Sequence, residues 1–203
     1  MKADNIIKYL DELIPNPTCE LEFNKDYELL IATMLSAQTT DKRVNIVTKV
    51  LFNKYPSLRD LKEANINDLK DIIKSIGNYN KKAQNIIDIA TKLEPIGYVP
   101  NDRDFLESLS GVGRKTTNVV LSNIYDENLV AVDTHVERVS KRLEIADLQD
   151  DVLMVEKKLN KYFKDYDLKR IHHQLVLFGR YHCKSRNPEC KVCKLKCNNR
   201  CDK

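Results

Sequence analysis

The sequence predicts an all-α protein, on three observations. Apolar residues recur at helical spacing almost throughout the 203 residues. Pro15, Pro17, Pro56, Pro95 and Pro100 fall between those segments, where proline does least harm. Only Leu129-Val130-Ala131-Val132 reads as extended, and so short a run makes no sheet.

In order, helices are expected at about 3–13 and 27–37, then around Val44, Val47, Val50 and Leu51. Ile66, Leu69, Ile72, Ile73 and Ile76 line one face of the next helix, with Asn65 as its N-cap. Ala83, Ile86, Ile87, Ala90 and Leu93 mark another, followed by helices at about 103–109, 113–124, 134–144, 151–163 and 168–181.

Composition excludes several classes. Hydrophobic residues make up 42% and charged residues 32%, ordinary values for a globular chain of one or two domains. Gly 5 and Pro 6 are too few for a collagenous or linker-like chain. The uncharged stretch from Leu29 to Thr40 is about 12 residues, against the ~20 that a spanning helix needs. No apolar run follows Met1 as a signal peptide requires, so the expected location is cytoplasmic, at the nucleoid if the source is bacterial. No repeat is present and no apolar helix face is spare, so a monomer is expected.

The formal charge is +4, but it is unevenly spread. From Cys183 onward Lys184, Arg186, Lys191, Lys194, Lys196, Arg200 and Lys203 face only Glu189 and Asp202, which leaves the rest of the chain near neutral. A basic tail of this kind suits an anionic partner, nucleic acid first. The same tail holds Cys183, Cys190, Cys193, Cys197 and Cys201, spaced C-x6-C-x2-C-x3-C-x3-C, while Cys19 stands apart. Without a signal peptide, clustered cysteines argue for metal over disulfides. Four thiolates suit an iron–sulfur cube or a tetrahedral zinc, although the x6 gap is long for zinc pairs.

Leu109-Ser110-Gly111-Val112-Gly113-Arg114-Lys115-Thr116 lies between two helical patterns. Its glycines allow a sharp turn that presents N–H groups to a phosphate at the start of the next helix. That is a helix–hairpin–helix, which grips one DNA strand without reading its sequence, or else a plain αα-turn with a glycine cap. Leu106, Leu109, Val119 and Val120 are expected to pack its helices together. Lys115, on the helix's first turn, is either a phosphate contact or a Schiff-base nucleophile. Asp133 ends an apolar run ahead of Thr134 and His135, which makes it an N-cap. As a functional group it would be a carboxylate that stabilises positive charge or takes a proton.

These residues resemble a known family. Leu35-Ser36-Ala37-Gln38-Thr39-Thr40-Asp41, Ser75-Ile76-Gly77-Asn78-Tyr79-Asn80, the hairpin through Lys115, Val132-Asp133-Thr134-His135, and His172-His173 through Gly179-Arg180-Tyr181 occur in order along nearly the whole chain. Together they look like endonuclease III, a bifunctional DNA glycosylase and abasic-site lyase of the helix–hairpin–helix superfamily. The resemblance implies two packed helical lobes. One is a six-helix lobe at 20–127; the other, 1–19 plus 128–203, bears the cysteine loop. It implies Lys115 as nucleophile and Asp133 as its carboxylate partner, acting on oxidised pyrimidines or abasic sites in double-stranded DNA. It implies a [4Fe-4S] cluster on Cys183, Cys190 and Cys193, and DNA contacts at Gln38, Asn78, Gly111, Val112, Gly113, Arg114, His135, Lys184, Arg186 and Lys191. Gln38 matches the glutamine that fills the gap left by a flipped nucleotide. His172 and His173 read as packed helix residues, since the cysteines suffice as ligands.

The sequence departs from the family pattern at three places. The usual cluster spacing is C-x6-C-x2-C-x5-C, whereas here the last gap is x3 to Cys197 or x7 to Cys201. A longer loop is easier to accommodate than a shorter one, which favours Cys201, with Cys197 as the alternative. Asn78 occupies the position of a frequent apolar wedge, and Ser110 the position of a proline.

Overall fold

The computed structural model describes residues 2–195 and 197. The helices are α1 (Ala3–Leu13), α2 (Asp26–Leu35), α3 (Asp41–Lys54), α4 (Leu58–Lys62), α5 (Ile66–Ile73), α6 (Tyr79–Leu93), α7 (Arg103–Glu107), α8 (Arg114–Ile124), α9 (Thr134–Arg142), α10 (Val152–Tyr162) and α11 (Leu168–Tyr181). No strand occurs among the described residues, and no described helix is long and apolar enough to cross a membrane. The chain divides into two compact units, Cys19–Tyr125 and Met1–Thr18 with Asp126–Lys203.

In the Cys19–Tyr125 unit, α6 packs against α2, α4 and α5, and α2 against α3 and α8. Leu29, Leu30, Leu35, Leu51, Leu61, Leu69, Ile73, Ile86, Ile89 and Leu93 fill its core. Each such side chain contributes about 1.5–3 kcal/mol through loss of water contact. Asn65 caps α5 as expected, its Oδ1 accepting from the N–H groups of Asn67 (2.8 Å) and Asp68 (3.4 Å). Val50 departs from its pattern and is 54% exposed on α3.

The unit carries seven helical segments, one more than expected, because the five-residue α4 is too short to show a periodicity. α4 is held by a reciprocal cap. The Asp60 N–H donates to Ser57 Oγ at 3.1 Å, and the Ser57 N–H donates to Asp60 Oδ2 at 3.0 Å. α2 ends at Leu35, two residues short of expectation, because Gln38 adopts a left-handed φ of 59° and turns the chain.

In the other unit, Ile6 and Leu10 of α1, Val136 and Val139 of α9, Val155 and Leu159 of α10, and Leu175 and Phe178 of α11 share one core. Val130, Ala131 and Val132 are buried and belong to no helix or strand. α9 and α11 meet at Gly179, where a Cβ would stand 2.9 Å from the His135 Cβ and 3.1 Å from a Val139 methyl. α1 is tied to α11 by Asp11, whose Oδ1 accepts from Arg170 Nη2 at 2.7 Å and Gln174 Nε2 at 2.8 Å. The Arg170 hydrogen bond holds that carboxyl below the usual carboxylate range.

Candidate functional site

The hairpin forms as the glycines predict. α7 ends at Glu107, Gly111 takes a left-handed φ of 77°, and Gly113 is the extended N-cap of α8. A Cβ on Gly111 would collide with the Asn85 side-chain amide and lie 3.3 Å from the Met34 Cγ. Leu106, Leu109, Val119 and Val120 are all buried beneath the turn. The first intrahelical bond of α8 runs from the Thr117 N–H to the Gly113 carbonyl at 3.0 Å. The helix start ahead of it, with its N–H groups and positive dipole end, can meet an anion. Val112 does not offer its amide, which donates to the Leu109 carbonyl at 3.1 Å, and its side chain is buried. Lys115 is the second residue of α8, and its side chain is exposed.

Gln38 and Asn78, far apart in sequence, stand on adjacent turns of the same unit. Gly77, beside Asn78, donates its N–H to Thr39 Oγ1 at 3.4 Å. Asn78 has φ 57° and N-caps α6 with its backbone, while its side chain makes no cap bond. A left-handed residue here gives the departure from an apolar wedge a physical reason: asparagine tolerates this conformation better than branched apolar residues do.

Asp133 is the N-cap of α9. Its Oδ1 accepts from the N–H groups of His135 (2.9 Å) and Val136 (2.8 Å), which leaves Oδ2 outside the cap. The His135 ring lies 3.2 Å, through Nδ1, from Arg138 Nη2.

Cys183, Cys190, Cys193 and Cys197 line one cavity of about 460 Å³, together with Tyr9, Arg142 and Pro188. Burial pushes the Cys193 thiol up, and its neighbours Cys197 and Cys183 push it further. Two arginines of α9 brace the entry to this loop. Arg138 Nε and Nη2 donate to the Cys183 carbonyl at 3.2 and 3.1 Å. Arg142, 6% exposed, donates through Nη1 to Cys183 Sγ at 3.4 Å and to the Lys184 carbonyl at 2.6 Å. Cys201 lies outside the described residues. Among the described residues, no three His, Cys, Asp or Glu side chains converge as for a single metal ion. His172 and His173 are buried in α11, as expected of packed residues.

Residues 31–165 match the HhH-GPD superfamily of base excision DNA repair proteins. Endonuclease III of Bacillus subtilis (strain 168) is 47% identical over 188 residues, covering 92% of this chain and 86% of that protein. The chain belongs to the endonuclease III family. The Haemophilus influenzae endonuclease III is 44% identical over 194 residues, 95% of this chain and 92% of that one. Among solved structures, a trapped endonuclease III–DNA covalent intermediate superimposes with a TM-score of 0.89 at 45% identity, over 96% of this chain and 94% of its own. By class, an endonuclease III family member is a base-excision DNA glycosylase and lyase.

Three features of this family member were invisible to sequence reasoning. Ser110, in place of proline, donates from Oγ to Asp88 Oδ2 of α6 at 3.0 Å, which tethers the hairpin by a side chain. Lys92 Nζ, one turn further along α6, donates to the Ser108 carbonyl at 3.1 Å. Of the loop cations, Lys184 is paired with Glu189 at 3.0 Å, whereas Arg186 and Lys191 are exposed.

Proposed function

We propose that this chain removes oxidised pyrimidines from double-stranded DNA and then cuts the abasic strand on its 3′ side, with Lys115 as the nucleophile. The observation that carries the reading is the exposed Lys115 amine on the first turn of the helix opened by the glycine hairpin. Gly111, Gly113 and Arg114 hold a backbone phosphate there, and the lesion nucleotide leaves the stack. Gln38 and Asn78 occupy the space it vacates.

In this reading the Lys115 amine attacks C1′, and the C1′–N bond breaks with its electron pair leaving on the base, which takes up a proton. Ring opening gives a Schiff base, which acidifies the C2′ hydrogen. Loss of that proton drives out the 3′ phosphate by β-elimination, and water returns the free lysine. The Asp133 carboxylate stabilises the positive charge that develops on the sugar and accepts or delivers protons. His135, Arg186, Lys191 and Lys184 add contacts to the phosphate backbone, weakened at Lys184 by Glu189.

The resemblance also implies a [4Fe-4S] cluster, and the donor set fits it. Four thiols line one cavity of about 460 Å³, a donor set that suits an iron–sulfur cluster. Cys183, Cys190 and Cys193 are three ligands; the fourth is Cys201, which the longer spacing favours, or Cys197, which shares the cavity lining with the other three. When bound, the cluster staples the loop bearing Lys184, Arg186 and Lys191. The protein acts as a monomer.

Two substitutions test the chemistry in a nicking assay on duplex DNA containing thymine glycol. Lys115→Ala is expected to lower strand cleavage at least about a thousandfold while duplex affinity stays within threefold. Asp133→Asn keeps an N-cap acceptor and so separates charge from capping; excision falls while thermal stability holds. Base release without nicking by the wild type would make the enzyme monofunctional. Cleavage surviving Lys115→Ala would move the nucleophile elsewhere.

A further inference from the structure

Gln38 and Asn78 both hold left-handed backbones, φ 59° and 57°, with exposed side chains. Such a conformation is disfavoured for non-glycine residues, so the surroundings must impose it. The turns touch each other: besides the Gly77–Thr39 hydrogen bond, a Cβ on Gly77 would stand 3.8 Å from the Gln38 carbonyl oxygen.

One residue reaches both turns. Lys82, in the first turn of α6, donates its backbone N–H to the Asn78 carbonyl at 3.1 Å. Its ammonium crosses to the end of α2 and donates to the Leu35 carbonyl at 2.9 Å and the Ala37 carbonyl at 2.6 Å. These two acceptors flank Ser36, immediately before Gln38. The side chain is 6% exposed, and burial alone pushes its ammonium below the usual lysine range.

A buried cation costs several kcal/mol unless its donors are satisfied, and helices end more cheaply with glycine or asparagine. A lysine here does something those caps cannot: it fastens the carbonyls of one turn from the base of the other. Helix C-terminal carbonyls also carry the negative end of the dipole, which offsets part of the cost.

We propose that Lys82 is a positioning residue that locks the Gln38 and Asn78 turns into one rigid two-pronged wedge for the duplex. The inference rests on the reading that these side chains fill the space of the flipped nucleotide. Extrusion is uphill, and loosely held prongs would add the cost of ordering their side chains. Lys82 has no contact with the reacting sugar in this account. It therefore acts on nucleotide extrusion and leaves the chemical step alone.

The test compares two DNAs under single-turnover conditions. Thymine glycol paired in a duplex must be extruded, whereas an abasic site in single-stranded DNA needs no extrusion before Schiff-base trapping. Lys82→Met keeps the aliphatic stem and removes the donors. It is expected to slow excision from the duplex about tenfold, in line with the lost preorganisation, and to leave single-stranded trapping within twofold. Lys82→Arg, which retains the donors, recovers most of the duplex rate.

Unchanged duplex excision in Lys82→Met overturns the proposal, and so does an equal loss on both DNAs. If Lys82→Met does not fold, Thr39→Val removes only the acceptor that joins the turns. It should show the same selective loss at about two- to threefold, and parity with wild type overturns the proposal. Failure of the wild type to trap on either DNA would instead sink the lyase reading on which the proposal stands.

Discussion

In the Cys19–Tyr125 unit the candidate functional residues sit on turns that the chain completes by itself, whereas the described residues between Cys183 and Cys197 form no helix. α6 alone braces the first region at four points. Lys82 fastens the Gln38 turn, Asn85 fits under Gly111, Asp88 holds Ser110 and Lys92 holds the Ser108 carbonyl. The cysteine loop is braced by Arg138 and Arg142 on its carbonyls and on Cys183 Sγ, and by Lys194, which pairs with Glu12 of α1 at 2.7 Å. Between these contacts it borders a cavity ringed by thiols. The contrast teaches that the hairpin and its neighbouring turns are preorganised by hydrogen bonds and packing within one unit. In the proposed reading, the cysteine loop is completed by what its cysteines bind.

The largest effect should come from the cysteines. Cys183→Ser is expected to lose iron from about four per chain to near none, together with absorption at about 400 nm. Trypsin should then cut at Arg186 and Lys191, while amide exchange in α6 stays slow. Of Cys197→Ser and Cys201→Ser, the variant that loses iron identifies the fourth ligand, and one zinc per chain would overturn the cluster.

Acid provides the second contrast. Burial, reinforced by Lys169 and opposed by Asp167, pushes the His173 imidazole down from 6.5 to about 4. Its folded value lies below its unfolded one, so the unfolded chain binds the extra proton between them. The stabilisation is complete above about pH 6.5 and is lost as pH falls toward 4, on the order of 3 kcal/mol. Urea midpoints at pH 7 and pH 5 should differ less in His173→Gln than in wild type, and exchange in α11 should rise with acid before exchange in α6 does. Equal pH dependence in both proteins would contradict the assignment.

Gly111→Ala should have the smallest effect, about 1–3 kcal/mol of destabilisation from its left-handed backbone and the collision with Asn85. Duplex affinity falls with it, and the absorption of the cysteine loop is untouched. A change in that absorption would mean that the two regions are not independently built.

Much of this was legible from local signals. Helical spacing, proline placement and caps such as Asn65 depend on neighbours within a turn or two, so the all-α class and most helices follow from sequence alone. The hairpin turn ahead of Lys115 and the N-cap at Asp133 were legible because glycines and an apolar run frame them. α4 was not, since five residues show no periodicity. Lys82, Asp88 and Arg142 were also missed. Each is one polar residue whose partner lies 22 to 47 positions away. Nothing in a single sequence marks a charged residue as buried against a distant carbonyl. Val112 was placed among DNA contacts by motif, and only its hydrogen bond to Leu109 shows that its amide is already used.

The most direct test of the central claim is borohydride trapping on duplex DNA containing thymine glycol, followed by peptide mapping of the adduct. The account predicts one covalent adduct, on Lys115, absent from Lys115→Ala. A wild-type enzyme that binds tightly yet forms no adduct, or forms it on another lysine, would contradict it.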